Sequence, residues 1–170
     1  MTIMTPQAGD FGLVAIRGEA GRLIRIGQWL NGDGLGQYQH AFLVLDNGEL
    51  VEAEPGGARI RPLTEYDDTN VIWSDWSLTD EQRGHLVAAG RALVGTPYSA
   101  LDYFALATHR LHIPMPGLRR YVADSGHMIC SQLVDEVYRR AGLSMFADGR
   151  WPGYVTPMAL VKALHGPVTA

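Results

Sequence analysis

His40-Ala41-Phe42-Leu43-Val44-Leu45-Asp46-Asn47-Gly48-Glu49-Leu50-Val51-Glu52-Ala53-Glu54 is the stretch on which the reading of this chain turns. Two apolar runs flank Asp46-Asn47-Gly48, and Asn-Gly between such runs is the strongest short-range hairpin signal. Loop length then decides which side chains meet. In a three-residue loop with Gly48 left-handed, a type I turn with a G1 bulge, Leu45 pairs with Glu49, Phe42 with Glu52 and His40 with Glu54. Even-numbered residues of both strands share a face, and His40 and Glu52 become diagonal neighbours within reach of a hydrogen bond. In a two-residue loop both glutamates face away from His40.

Further strands precede and follow the hairpin. Phe11-Gly12-Leu13-Val14-Ala15-Ile16 follows a Gly-Asp turn, Pro55-Gly56-Gly57 ends the second hairpin strand, and Val71-Ile72-Trp73 reads as one more short strand. The second half reads as helices. Thr79 with Gln82 three residues on is a capping-box start for a helix to about Val94, closed by Gly95. Ser99 and Asp102 open a second helix to about His109, before Pro114. A third helix begins near Cys130, with Cys130, Leu133, Val134, Val137, Tyr138 and Ala141 at helical spacing and Gly142 at its end. Thr156-Pro157 starts a last, short helix. Strands first and helices later indicate a segregated α+β domain.

The 170 residues suit one domain, and 46% apolar against 19% charged residues supports a packed core. A net charge of −4 argues against a general nucleic-acid binder. One cysteine excludes an internal disulfide and a Cys-rich zinc site. The N-terminus has neither the basic nor the apolar part of a secretory signal, and no apolar run approaches the roughly 18 residues of a membrane span. The expectation is a cytoplasmic protein as synthesised, without stable membrane insertion, or one carried by a virion or exported by another route. Asn31-Gly32-Asp33-Gly34-Leu35-Gly36 contains a GxGxG string, but no strand leads into it and no helix follows, so it reads as a loop and not a phosphate cradle. Trp29, Trp73, Trp76 and Trp151 read as core or groove aromatics.

Cys130 is the candidate nucleophile. A thiol reacts as thiolate, and a free cysteine near pKa 8.5 is a few per cent ionised at pH 7. A helix start favours the anion by about 0.3–1 kcal/mol, so a partner imidazole must supply the rest. Its N–H groups also suit an oxyanion. The competing reading is a small buried hydrophobe on an apolar helix face. A carboxylate beside His40 would fix its tautomer and leave the other nitrogen for the thiol. On their own, His40 also reads as a polar residue entering a strand and Glu52 as a solvated carboxylate. His127, three residues before Cys130, is a competing base. His109 and His112 are spaced for a metal but have no evident third ligand. Tyr98 reads as a cleft hydroxyl or a core aromatic.

The stretch from His40 through Ala53 is similar to the histidine hairpin of permuted NlpC-like cysteine hydrolases, papain-like proteins of the YiiX and lecithin-retinol-acyltransferase branch. There the histidine precedes the cysteine, and a third polar residue lies on the following strand. Here His40 precedes Cys130, and Glu52 stands where the third member falls. Gly9-Asp10, Gly95-Thr96-Pro97-Tyr98, Ile129-Cys130-Ser131-Gln132-Leu133-Val134 and Thr156-Pro157 also resemble that branch, in order, over about residues 9 to 160. His109-Arg110-Leu111-His112-Ile113-Pro114-Met115-Pro116-Gly117 departs from it and reads as an insertion forming a cleft wall or lid.

The resemblance implies a single papain-like domain over residues 1–170, an antiparallel sheet with helices on one side. It implies attack by Cys130, proton transfer by His40, and orientation of His40 by Glu52, with Glu54 as alternative. The reaction is acyl transfer through a thioester, with no cofactor and no metal. An amide, such as a cell-wall peptide or peptidoglycan fragment, is the first expected substrate, and a lipid acyl group the second. The rival from another class is a phage or secretion-system binding or structural module whose thiol is unused.

Overall fold

The computed structural model describes residues 5–16, 34–54, 56–97, 129–148 and 155–164, with scattered positions beyond these runs. The second expected helix, the segment 109–117, Tyr98, His127 and Trp151 lie outside the described residues. Five strands form one antiparallel sheet: β1 (Phe11–Val14), β2 (His40–Val44), β3 (Glu49–Glu54), β4 (Gly57–Pro62) and β5 (Ile72–Trp73), in the order β4-β3-β2-β1-β5. A 3₁₀ turn, Leu63–Tyr66, follows β4. Three helices have both ends described: α1 (Asp80–Ala92), α2 (Cys130–Arg140) and α3 (Pro157–Ala163).

The hairpin has the three-residue register, with Phe42 opposite Glu52 and Val44 opposite Leu50. The turn itself differs from the type I expectation. Asn47 as well as Gly48 has positive φ, 58° and 71°, and the Glu49 N–H donates to the Asp46 carbonyl at 3.2 Å. Two positive φ values mark the mirror-image I′ turn, which matches strand twist. Asp46 is then the extra residue that keeps the three-residue register. Arg91 of α1 reaches the loop, pairing with Asp46 and, at 2.7 Å, with Glu49.

β4 carries a period-two trace in Ala58-Arg59-Ile60-Arg61, too short between the Gly56-Gly57 turn and Pro62 to stand out in the sequence. Its arginines and Pro62 suit a sheet edge, where charge and proline deter further pairing.

The pleat sorts the core into two layers. Phe11, Leu13, Ala41, Leu43, Leu45, Val51 and Ala53 meet the helices through Leu86, Leu133, Val134, Val137, Tyr138 and Leu160. The opposite face, Val14, Phe42, Val44 and Leu50, is covered by Leu63, Tyr66, Val71 and Trp73. The described helices thus pack on one side of the sheet. Trp76 is in the core, against Phe11 and Tyr138, whereas Trp29 is 58% exposed, contrary to expectation. The glycine-rich segment is also tighter than a free loop at its end: a Cβ on Gly36 would collide with the Met158 side chain of α3.

Helix ends follow the local chemistry. Thr79 and Gln82 form both halves of the capping box. Thr156 Oγ1 accepts from the Ala159 N–H at 3.1 Å, with Pro157 at the first helical position. Two contacts fix α2 along the sheet. Cys130 Sγ lies 4.0 Å from the carbonyl of Gln39, just before β2, and the Tyr138 hydroxyl donates to Gly9, whose N–H binds Val44 at the far end of β2. No described helix is long and apolar enough to cross a membrane.

Candidate active site

His40 is the first residue of β2, so its ring stands at the end of the sheet, where a group from the helix layer can meet it. The register puts Glu52 diagonally beside it, and His40 Nε2 and Glu52 Oε2 are 2.8 Å apart. That bond leaves Nδ1 for a second partner. The side chain of Cys130, the first residue of α2, is the ring's other close electrostatic neighbour, with its sulfur 4.0 Å from the carbonyl of Gln39, the residue before His40. The structure therefore brings Cys130, His40 and Glu52 together across 91 residues of sequence separation between Gln39 and Cys130. All three are buried, at 3%, 5% and 2% exposure. Burial alone would suit the small-hydrophobe reading of Cys130; the adjacent imidazole sets it apart.

At the start of α2 the N-cap residue is Ile129, which has no side-chain oxygen to accept from the first turn. Gln132 supplies the reverse half of a capping box, its Oε1 accepting from the Ile129 N–H at 3.1 Å. Ser131 is held by its hydroxyl on the Val155 carbonyl at 2.7 Å, which ties the first turn to the entry of α3.

Two residues that sequence reasoning passed over complete the surroundings of Glu52. The Tyr66 hydroxyl donates to the same Oε2 at 2.8 Å. Its ring stacks on Phe42, with centroids 4.3 Å apart. Arg59, opposite Glu52 in the β3–β4 register, has its Nε 3.9 Å from Oε1 and pairs with Glu54. Glu54 is thus half-buried and engaged by Arg59, while Glu52 holds the imidazole. Arg59 followed from the missed strand. Tyr66 had no sequence signal, since it sits in a 3₁₀ turn without periodicity.

The electrostatics favour charge on the imidazole. Burial by itself pushes His40 down. The Cys130 sulfur, through its charge and its hydrogen bond, and then Glu52 outweigh that, and the ring rises to about 9. Glu52 shows the same contest: burial pushes its carboxyl up, but His40, the Tyr66 hydroxyl and Arg59 bring it below its ordinary value. Burial, followed by the bond to Glu52 and its charge, pushes Tyr66 well above the usual phenol range, so it remains a donor.

No protein-family model matches this chain, and no curated protein matches it. Among solved structures, one described as the metalloprotein yiiX from Escherichia coli O157:H7 superposes with a TM-score of 0.61 at 18% identity. The match covers 96% of this chain and 95% of that one. At this identity the likeness defines the fold: a YiiX-like α+β domain with a five-stranded antiparallel sheet.

Proposed function

We propose that this protein is a thiol-dependent acyl hydrolase or acyltransferase, with Cys130 as nucleophile, His40 as its acid–base partner and Glu52 as the group orienting His40. The observation that carries the reading is the juxtaposition of a buried cysteine at a helix start with an imidazole that is itself bonded to a buried carboxylate, Cys130 beside His40 and His40 on Glu52. The Cys130 proton passes to His40 Nδ1, and Glu52 stabilises the resulting imidazolium. The thiolate attacks an acyl carbon, forming a C–S bond while the carbonyl electrons move onto oxygen, beside the N–H groups of the first turn of α2. Collapse breaks the bond to the leaving group, which takes the His40 proton. Water or another acceptor, deprotonated by His40, then releases the acyl group and returns the thiol. An amide, as in a cell-wall peptide, is the first substrate class and a lipid acyl group the second.

The description of the E. coli protein as a metalloprotein suggests a second reading, a divalent cation on His40, Glu52 and Glu54. Their donor atoms all lie within 4.8 Å of one another. The set does not fit a metal as it stands. Arg59 is already the cation between the two carboxylates, paired with Glu54 and 3.9 Å from Glu52, and His40 Nε2 is already bonded to Glu52, so a metal would have to displace both.

Iodoacetamide labelling followed by mass spectrometry tests the thiol reading. Rapid modification of Cys130 in the folded protein is expected, with a pH midpoint well below 8.5, the value of a free cysteine. Labelling that appears only after denaturation returns Cys130 to a packing role and leaves a binding or structural module. Zinc that binds stoichiometrically and requires His40, Glu52 and Glu54 would favour the metal reading.

A further inference from the structure

We infer that Tyr66 is a positioning residue for the proposed thiol site, its hydroxyl holding the Glu52 carboxylate against His40 and away from Arg59. The inference rests on the Cys130–His40–Glu52 reading above and adds a fourth member to it.

Glu52 has two ways to satisfy its charge. One oxygen, Oε2, receives both the His40 ring and the Tyr66 hydroxyl at 2.8 Å each. The other, Oε1, faces Arg59 Nε at 3.9 Å, too far for a hydrogen bond but near enough to attract. Arg59 is 46% exposed along its side chain and lies on the edge strand, so it draws the carboxylate toward solvent. Tyr66 opposes that pull. Its own place is fixed independently of Glu52, because the ring lies flat on Phe42 at 4.3 Å with 12° between planes. It also stacks beside His40 at 6.4 Å. A hydroxyl on a fixed ring defines where Oε2 can sit, which is how outer partners orient an inner one.

The charged and titratable groups around this carboxylate come from every neighbouring element. They are His40 on β2, Glu54 on β3, Arg59 and Arg61 on β4, Glu65 beside Tyr66, and Cys130 on α2. Arg61 is paired with Glu65, and Arg59 with Glu54. Tyr66 is the neutral donor in this group, so replacing it changes position without adding or removing charge.

Tyr66→Phe keeps the stacked ring and removes the hydroxyl. The test is the alkylation rate of Cys130 by iodoacetamide from about pH 5 to pH 10, in the full chain, for the parent, Tyr66→Phe, Glu52→Gln and the double variant, with circular dichroism as the check on folding. Loss of the hydroxyl is expected to raise the midpoint by about half a unit to one unit, roughly a threefold to tenfold loss of thiolate on the rising limb. In the Glu52→Gln background the same change should have little further effect, because Tyr66 acts through Glu52. A midpoint that is unchanged or lowered in Tyr66→Phe overturns the inference, as does a shift that persists undiminished without Glu52. A parent midpoint equal to that of free cysteine, unmoved by Glu52→Gln, brings down the thiol reading itself, and this inference with it.

Discussion

Glu52 shows how one side chain acquires a fixed state in a buried place. Burial favours its neutral form, yet an imidazole, a hydroxyl and a guanidinium surround it and win. The consequence for stability follows from the direction of that shift. Its carboxyl titrates below the ordinary 4.5 in the folded chain, so its contribution is fully present above 4.5 and is lost as pH falls through the depressed value. Urea midpoints measured from neutral pH down to about pH 3 should fall more steeply for the parent than for Glu52→Gln. The same variant should lower the His40 titration point from about 9, followed by the ring proton resonances across a pH series, and at neutral pH slow alkylation of Cys130 by about tenfold or more. A ring that still titrates near 9 without the carboxylate would assign the whole effect to the sulfur.

Elements carry the site through local rules, most of them visible in the chain. The register of β2 on β3 was legible because Asp46-Asn47-Gly48 allows few turns, and the register alone puts His40 and Glu52 on one face. The exact turn was not, since Asn tolerates both signs of φ and only the surrounding strand twist selects the I′ form. The ends of α1 and α3 were legible in Thr79, Gln82, Thr156 and Pro157. β4 left a signal that is too short to stand alone: Ala58-Arg59-Ile60-Arg61 alternates with period two, but only over four residues between a glycine turn and Pro62. Tyr66 was hidden for another reason: its role depends on tertiary contact with Phe42 and Glu52, which leaves no periodic trace. The cap on α1 can be weighed separately from the chemistry. Thr79→Ala should cost about 1 kcal/mol, read from denaturant unfolding, and leave the alkylation midpoint of Cys130 where it was.

At the scale of the molecule, the sheet divides two tasks. One face meets the helices and supplies most of the core; the other is closed by the 3₁₀ turn and the chain after it, which brings Tyr66 to Glu52. α2 joins the two tasks. Its body is packed on the helix side through Leu133, Val134 and Val137, and its first residue reaches the end of β2. Leu133 is fully buried one turn from Cys130. Leu133→Ala should therefore destabilise the fold by about 2–5 kcal/mol, by lost burial and the space left behind. It should also slow Cys130 modification under native conditions, since the sulfur's neighbour depends on how α2 seats.

The imidazole and its carboxylate lie twelve residues apart on one hairpin, whereas the sulfur arrives from far along the chain. During synthesis the hairpin emerges long before its partner, and Cys130 in an unassembled chain is an ordinary, sluggish thiol. Electrophile sensitivity would thus be acquired only on completion of the tertiary structure. The same property would let an alkylating probe count native molecules in a mixed population, each modified sulfur reporting one finished chain.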